Sequence, residues 1–167
     1  MPERVFFELL YGKGAHANPL ACIEDLSADL AGKRIDGFPH SIWQLVEHMN
    51  YWMDYDTKRI RGEAQPYPAH AAASWLDEAV PPSEDQWRTS VSNFADLLAK
   101  LARLGESSPE ILAREVPPTH EGHKKLSFSV QSVLWQTLVH NSYHLGQIAV
   151  IRRALGAWPP EGGGDTW

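Results

Sequence analysis

Cysteine is almost absent: Cys22 is the only one in 167 residues. No intramolecular disulfide can form, which suits a reducing cytoplasm. A lone cysteine is more often a small buried apolar residue than a nucleophile. No apolar run approaches the roughly 20 residues of a membrane span. The opening stretch, 1-MPERVFFELLYGKG-14, has too short an apolar run for a signal peptide, and Glu8 interrupts it. Basic charge is not in excess. Fifteen Lys and Arg against 21 Asp and Glu leave a net charge of −6, whereas a nucleic-acid binder would usually show a basic face. The paired cations Arg59 and Arg61, Lys124 and Lys125, and Arg152 and Arg153 are scattered and read as solvated helix ends or rims. There is no internal repeat, no glycine-rich phosphate loop, no C-x-x-C and no G-x-S-x-G. No convincing Ser-His-Asp arrangement is present.

What is there is a 43% hydrophobic chain long enough for one domain with a real core. Its dominant stretch is 128-FSVQSVLWQTLVHNSYHLGQIAVIRRAL-155. Val130, Val133, Leu134, Leu138, Leu145, Ile148, Ile151 and Leu155 recur at steps of three, four and seven, the spacing of an amphipathic helix. Residues 2–11 read as a first helical segment ended by Gly12 and Gly14. Asn18-Pro19 reads as the cap of a short helix through Leu20, Ile23 and Leu26, and Ser27 as the cap of another turn. Ser41 with Gln44 forms a capping-box pattern opening a helix that stops at Gly62. Ser83 with Gln86 repeats the pattern and opens a helix to Gly105, with the core stripe Trp87, Val91, Phe94, Leu98 and Leu101. Ser108-Pro109 starts one more short turn.

The connections are long. Residues 63–82 are rich in proline and alanine, with a helical turn expected near Ser74 to Glu78; such a loop is a crossover or a lid. Residues 114–127 are another connection, and 156–167 form a glycine- and proline-rich tail in which Trp158 and Trp167 could fold back. The simplest solution is an all-α four-helix bundle, one domain over 1–167.

Bundles build their sites from inward side chains on facing helices. His140 and His144 lie four apart, on one helix face and about 6 Å apart along the axis. His48 shares a stripe with Leu45, Trp52 and Tyr55. A buried histidine needs partners for both ring nitrogens, either a metal and an acceptor or two ordinary hydrogen bonds. Three neutral imidazoles with an open fourth position are the catalytic type of zinc site, and nickel, cobalt and iron also accept imidazole. Gln44 and Gln136, each four residues before a histidine, are candidates to orient a ligand ring. His16 or His70 is a candidate fourth ligand; His40, His120 and His123 fit less well. Asn141 stands where an H-E-x-x-H protease needs its glutamate, and the E-x-x-H pairs of di-iron bundles are missing. Tyr143, Tyr55 or a loop carboxylate is the best available general base, none of them placed.

The segment 41-SIWQLVEHMNYW-52, with 140-HNSYHLGQI-148 and then 152-RRALG-156, resembles the DinB/YfiT-like superfamily of metalloenzymes over nearly the whole chain. The resemblance implies a four-helix bundle holding one divalent metal, commonly zinc or nickel, on His48, His140 and His144. It also implies a small-molecule substrate and a homodimer. Relatives include thiol-dependent transferases and isomerases, and others called metal-dependent hydrolases without a known reaction. A non-catalytic metal-binding bundle of the stress response is the alternative.

Overall fold

The structure is a computed structural model describing residues 4–63, 66–118 and 127–164. Six helices carry the described fold: α1 (Val5–Leu10), α2 (Ala28–Ala31), α3 (Ile42–Ile60), α4 (Glu84–Gly105), α5 (Pro109–Ala113) and α6 (Val130–Ala154). A 3₁₀ turn spans Ala71–Ser74, and two short strands, β1 (Glu115–Val116) and β2 (Phe128–Ser129), pair antiparallel. The fold is all-α apart from that ribbon. α3, α4 and α6 pack against one another, and α1, under two turns long, closes the bundle against α4 and α6.

Local chemistry sets the helix ends. The Ser41 hydroxyl accepts from the Gln44 N–H while the Gln44 side chain accepts from the Ser41 N–H, a complete capping box. Gly62, at φ +81°, ends α3 in the left-handed region that glycine reaches freely. Ser129 and Ser132 form a second reciprocal cap at the head of α6; that one went unread in the sequence. Ser83 makes only the forward half of the expected box, accepting from the Gln86 N–H.

The predicted stripes are the core. Trp87, Phe94, Leu98 and Leu101 of α4 are fully buried, and Val91 is half-buried. Of the α6 stripe, only Leu155 is not fully buried. Cys22 is buried, and burial pushes its thiol up to about 11, so it stays a thiol that packs.

Four expectations need correction. The segment after Asn18-Pro19 folds as a run of overlapping turns over 19–25 and not as a helix. The turn in the 63–82 connection falls at Ala71–Ser74, earlier than Ser74 to Glu78. Part of the 114–127 connection is strand, β1. Arg59 and Arg152 are buried, at 9% and 2% exposure, and are not solvated rims. Trp158 of the tail does fold back, with the Arg153 guanidinium 4.3 Å from its ring centre. Lys124, Lys125, His120, His123 and Trp167 lie outside the described residues.

Candidate metal centre

α3 and α6 run side by side, and their packing brings His48, His140 and His144 into one group whose ligand atoms lie within 4.8 Å of one another. His140 Nε2 lies 3.2 Å from His48 Nε2 and 3.1 Å from His144 Nε2. Two nitrogens bound tetrahedrally at 2.0–2.1 Å to one zinc ion would stand about 3.3 Å apart. The observed spacing is close to that.

The acceptors at the outer nitrogens favour one tautomer. His48 Nδ1 lies 3.3 Å from the Ser74 carbonyl oxygen, an acceptor, so its proton sits on Nδ1 and the lone pair is on Nε2. The Ser74 hydroxyl lies 3.1 Å from the same nitrogen. His144 donates through Nδ1 to Gln147 Oε1 at 2.7 Å, which again leaves the lone pair on Nε2. Two lone pairs therefore face the Nε2 of His140. One shared proton would satisfy that arrangement poorly, and a cation satisfies all three nitrogens. His140 Nδ1 and both polar side-chain atoms of the adjacent Asn141 are buried without a hydrogen bond of ordinary geometry to any described residue, although the Asn141 side chain is close enough to His140 to oppose the fall in its pKa.

Burial holds all three imidazoles below the usual histidine range. His48 falls to about 4 chiefly through lost solvation. His140 falls to about 4 through lost solvation and the proximity of His144. His144 is lowered by burial, against the pull of Gln147. Neutral imidazole is the form that ligates.

The 66–82 connection closes over the site. The Trp75 indole stacks on His48 at 3.8 Å between ring centres and on His40 at 3.7 Å, so it lies between two imidazoles. Two α3 side chains hold this connection: Gln44 Nε2 donates to the Leu76 carbonyl at 2.6 Å, and the Ser41 hydroxyl to the Ala79 carbonyl at 2.6 Å. Gln44 thus anchors the roof and touches no ligand ring, while Gln136 is exposed and lines the neighbouring cavity. The amide that orients a histidine is Gln147, three residues past His144, at a helical spacing that could have revealed it. Neither proposed fourth ligand joins the group. His16 is bonded to Ala17 O at 2.9 Å and to Ser142 Oγ at 3.0 Å, and His70 is exposed at the head of the 3₁₀ turn.

Beside His140 opens a cavity of about 190 Å³ lined by Trp52, Tyr55, Asp56, Arg59, Tyr67, Gln136, Thr137 and His140. Asp56 was not singled out in the sequence, and Arg59 was read there only as a solvated rim. They stand eight and eleven residues past His48, further along the stripe that carries Trp52 and Tyr55. A larger cavity, about 630 Å³ and bordered by α1, α4 and α6, contains none of the histidines.

The family model described as DinB superfamily matches residues 13–148. No curated protein and no solved structure matches.

Proposed function

The chain belongs to the DinB superfamily, and from that membership and the three converging imidazoles we propose that it is a metal-dependent enzyme. It acts on a small molecule as a hydrolase or a thiol-dependent transferase. The observation that carries the reading is the meeting of three Nε2 atoms, two of them on rings whose Nδ1 atoms lie against oxygen acceptors of Ser74 and Gln147. His48, His140 and His144 would hold one divalent ion, zinc or nickel. Such an ion supplies Lewis acidity and lowers the pKa of a water or thiol it binds. Trp75 shields His48 from one side, and Trp52, Tyr55 and Tyr67 give the cavity an apolar wall. That cavity at His140 favours catalysis over a metal that only stiffens the bundle.

No described helix is long and apolar enough to cross a membrane, and a cytoplasmic setting would keep a thiol nucleophile reduced. The homodimer implied by the resemblance would pair the outer face of α6, where Val139, Tyr143 and Val150 are exposed. In sedimentation, Val139→Lys should then shift a dimer toward monomer.

The test of the metal site is metal content by plasma mass spectrometry on tag-free protein, beside His144→Ala. About one equivalent in the parent and less than a tenth in the variant is expected. A parent that stays metal-free after reconstitution with zinc and with nickel would sink the reading.

A further inference from the structure

The metal-site reading lacks a group to take a proton from the nucleophile. Among the described residues, one carboxylate lines the cavity at His140. Asp56 projects from α3, and its Oδ2 accepts a 2.8 Å hydrogen bond from the Thr137 hydroxyl of α6, one helical turn before His140. The same hydroxyl lies 3.0 Å from the Val133 carbonyl, so its one proton is shared between that carbonyl and a carboxylate held against the wall carrying His140. The other Asp56 oxygen makes no hydrogen bond to any described residue. Arg59 lines the same cavity, and its positive charge pulls the Asp56 carboxyl down, against the effect of burial. Arg59 Nε donates to the Pro117 carbonyl at 3.1 Å and the guanidinium lies 4.8 Å from the Phe128 ring centre, while its Nη2 is buried with no hydrogen-bond partner among the described residues. The carboxylate is thus positioned by Thr137, beside a guanidinium that is partly committed to Pro117.

We propose that Asp56 is the proton acceptor of this site, taking the proton from the water or thiol that enters the cavity as nucleophile. The inference rests on the metal-site reading above. In the step, the O–H or S–H bond breaks, its electron pair stays on oxygen or sulfur, and the proton passes to Oδ1 of Asp56. The carboxylate becomes a carboxylic acid, and nothing is oxidised or reduced. A molecule filling a cavity of this size touches both Asp56 and His140. The other titratable or charged groups facing it are Arg59 and Tyr55 of α3, Tyr67 of the connection and His140 of α6. Burial, opposed by Thr137 and Arg59, raises the Asp56 carboxyl to about 6. A base poised there is mostly ionised at neutral pH yet basic enough to accept a proton.

The test uses the full chain loaded with cobalt, with phenylmethanethiol as the probe. Stopped-flow absorption follows the cobalt–thiolate band from pH 5 to 8. In the parent, the rate of band formation should rise through an inflection near pH 6. Asp56→Asn should bind the same amount of cobalt, react at least tenfold more slowly at pH 7 and lose the inflection, with Asp56→Glu recovering part of the rate. Thr137→Val removes a hydrogen bond that favours the ionised form, so the inflection should move to higher pH. An Asp56→Asn protein that keeps both rate and inflection overturns the proposal. So does a cobalt-loaded parent that never develops the band, although its bound cobalt would leave the metal-site reading standing. A parent that takes up no cobalt overturns the metal-site reading itself, and this inference with it.

Discussion

Protons and a metal ion compete for the same nitrogens, so pH should reach this protein through its histidines. His48 and His140 are held to about 4 in the folded chain, against 6.5 as the ordinary value. Between those limits the unfolded chain binds more protons than the folded one, so stability contributed by the neutral imidazoles is present above about pH 6.5 and lost as pH falls toward 4. Asp56 has the opposite sign. Its carboxyl is raised from 3.8 to about 6, so its favourable share is full below 3.8 and lost as pH rises through 6. Two strongly shifted imidazoles, with His144 shifted the same way, outweigh one carboxyl. The melting temperature of chelator-treated protein should therefore fall steadily from pH 7 to 4.5, and fall more steeply in Asp56→Asn; a flat profile would contradict the assignment. Asn141 offers a second test at this scale. Its amide and His140 Nδ1 are adjacent buried polar groups that influence each other without closing a hydrogen bond of ordinary geometry. When Nε2 of His140 ligates, the proton must sit on Nδ1 and requires an acceptor. Asn141→Leu should weaken metal binding roughly 10- to 100-fold in a chelator competition. It should cost the metal-free protein less than about 1 kcal/mol, since only a poorly formed bond to His140 is lost.

At the scale of elements, the roof of the site depends on its attachment to the head of α3. Gln44 closes the capping box and also holds the Leu76 carbonyl. Gln44→Ala removes both bonds and should cost about 1–2 kcal/mol in urea denaturation. It should also weaken metal binding, because the Ser74 carbonyl that orients His48 sits two residues before the released Leu76. A loss of stability with unchanged metal affinity would separate the roof from the site. How far this architecture was legible follows from how local its causes are. The ends of α3, the core stripe of α4 and the histidine face of α6 depend on neighbours within a turn or two, and pattern alone reveals them. The roof does not, because Ser74 and Trp75 carry no periodicity and are placed by anchors about 30 residues upstream. The helix expected after Asn18 failed for a similar reason. Asn18 does cap, accepting from the Leu20 and Ala21 N–H groups. Downstream, however, the Leu26 carbonyl accepts from the Trp87 indole and the Cys22 carbonyl from Arg152. Tertiary partners claim groups that a helix would have used. The ribbon of β1 and β2 has two residues per strand, too few for an alternating pattern to appear.

For the molecule as a whole, the tie least visible in the sequence is Arg152. It looks like one of two cations at a helix end, yet it is 2% exposed and ties its own helix to two other segments. Its guanidinium pairs with both oxygens of Asp25, at 2.6 and 2.9 Å. It also donates to the Cys22 carbonyl at 2.8 Å and to the Ala157 carbonyl at 2.8 Å. Asp25 in turn accepts from the Glu161 N–H at 2.9 Å. The turns before α2, the last turns of α6 and the tail thus meet at one ion pair. The Arg152 bonds hold the Asp25 carboxyl below the usual carboxylate range. Breaking such a pair from one side leaves a charge and several carbonyls in the protein interior without their donor. Arg152→Ala should therefore cost about 3–5 kcal/mol in urea denaturation. Arg153→Ala, next in sequence but exposed and only stacked on Trp158, should cost less than about 1 kcal/mol. Replacing both partners, as Arg152→Met with Asp25→Leu, should recover much of the loss, because no unpaired charge remains. If the double variant is as unstable as Arg152→Ala, the carbonyl bonds to Cys22 and Ala157, and not the ion pair, hold these segments together.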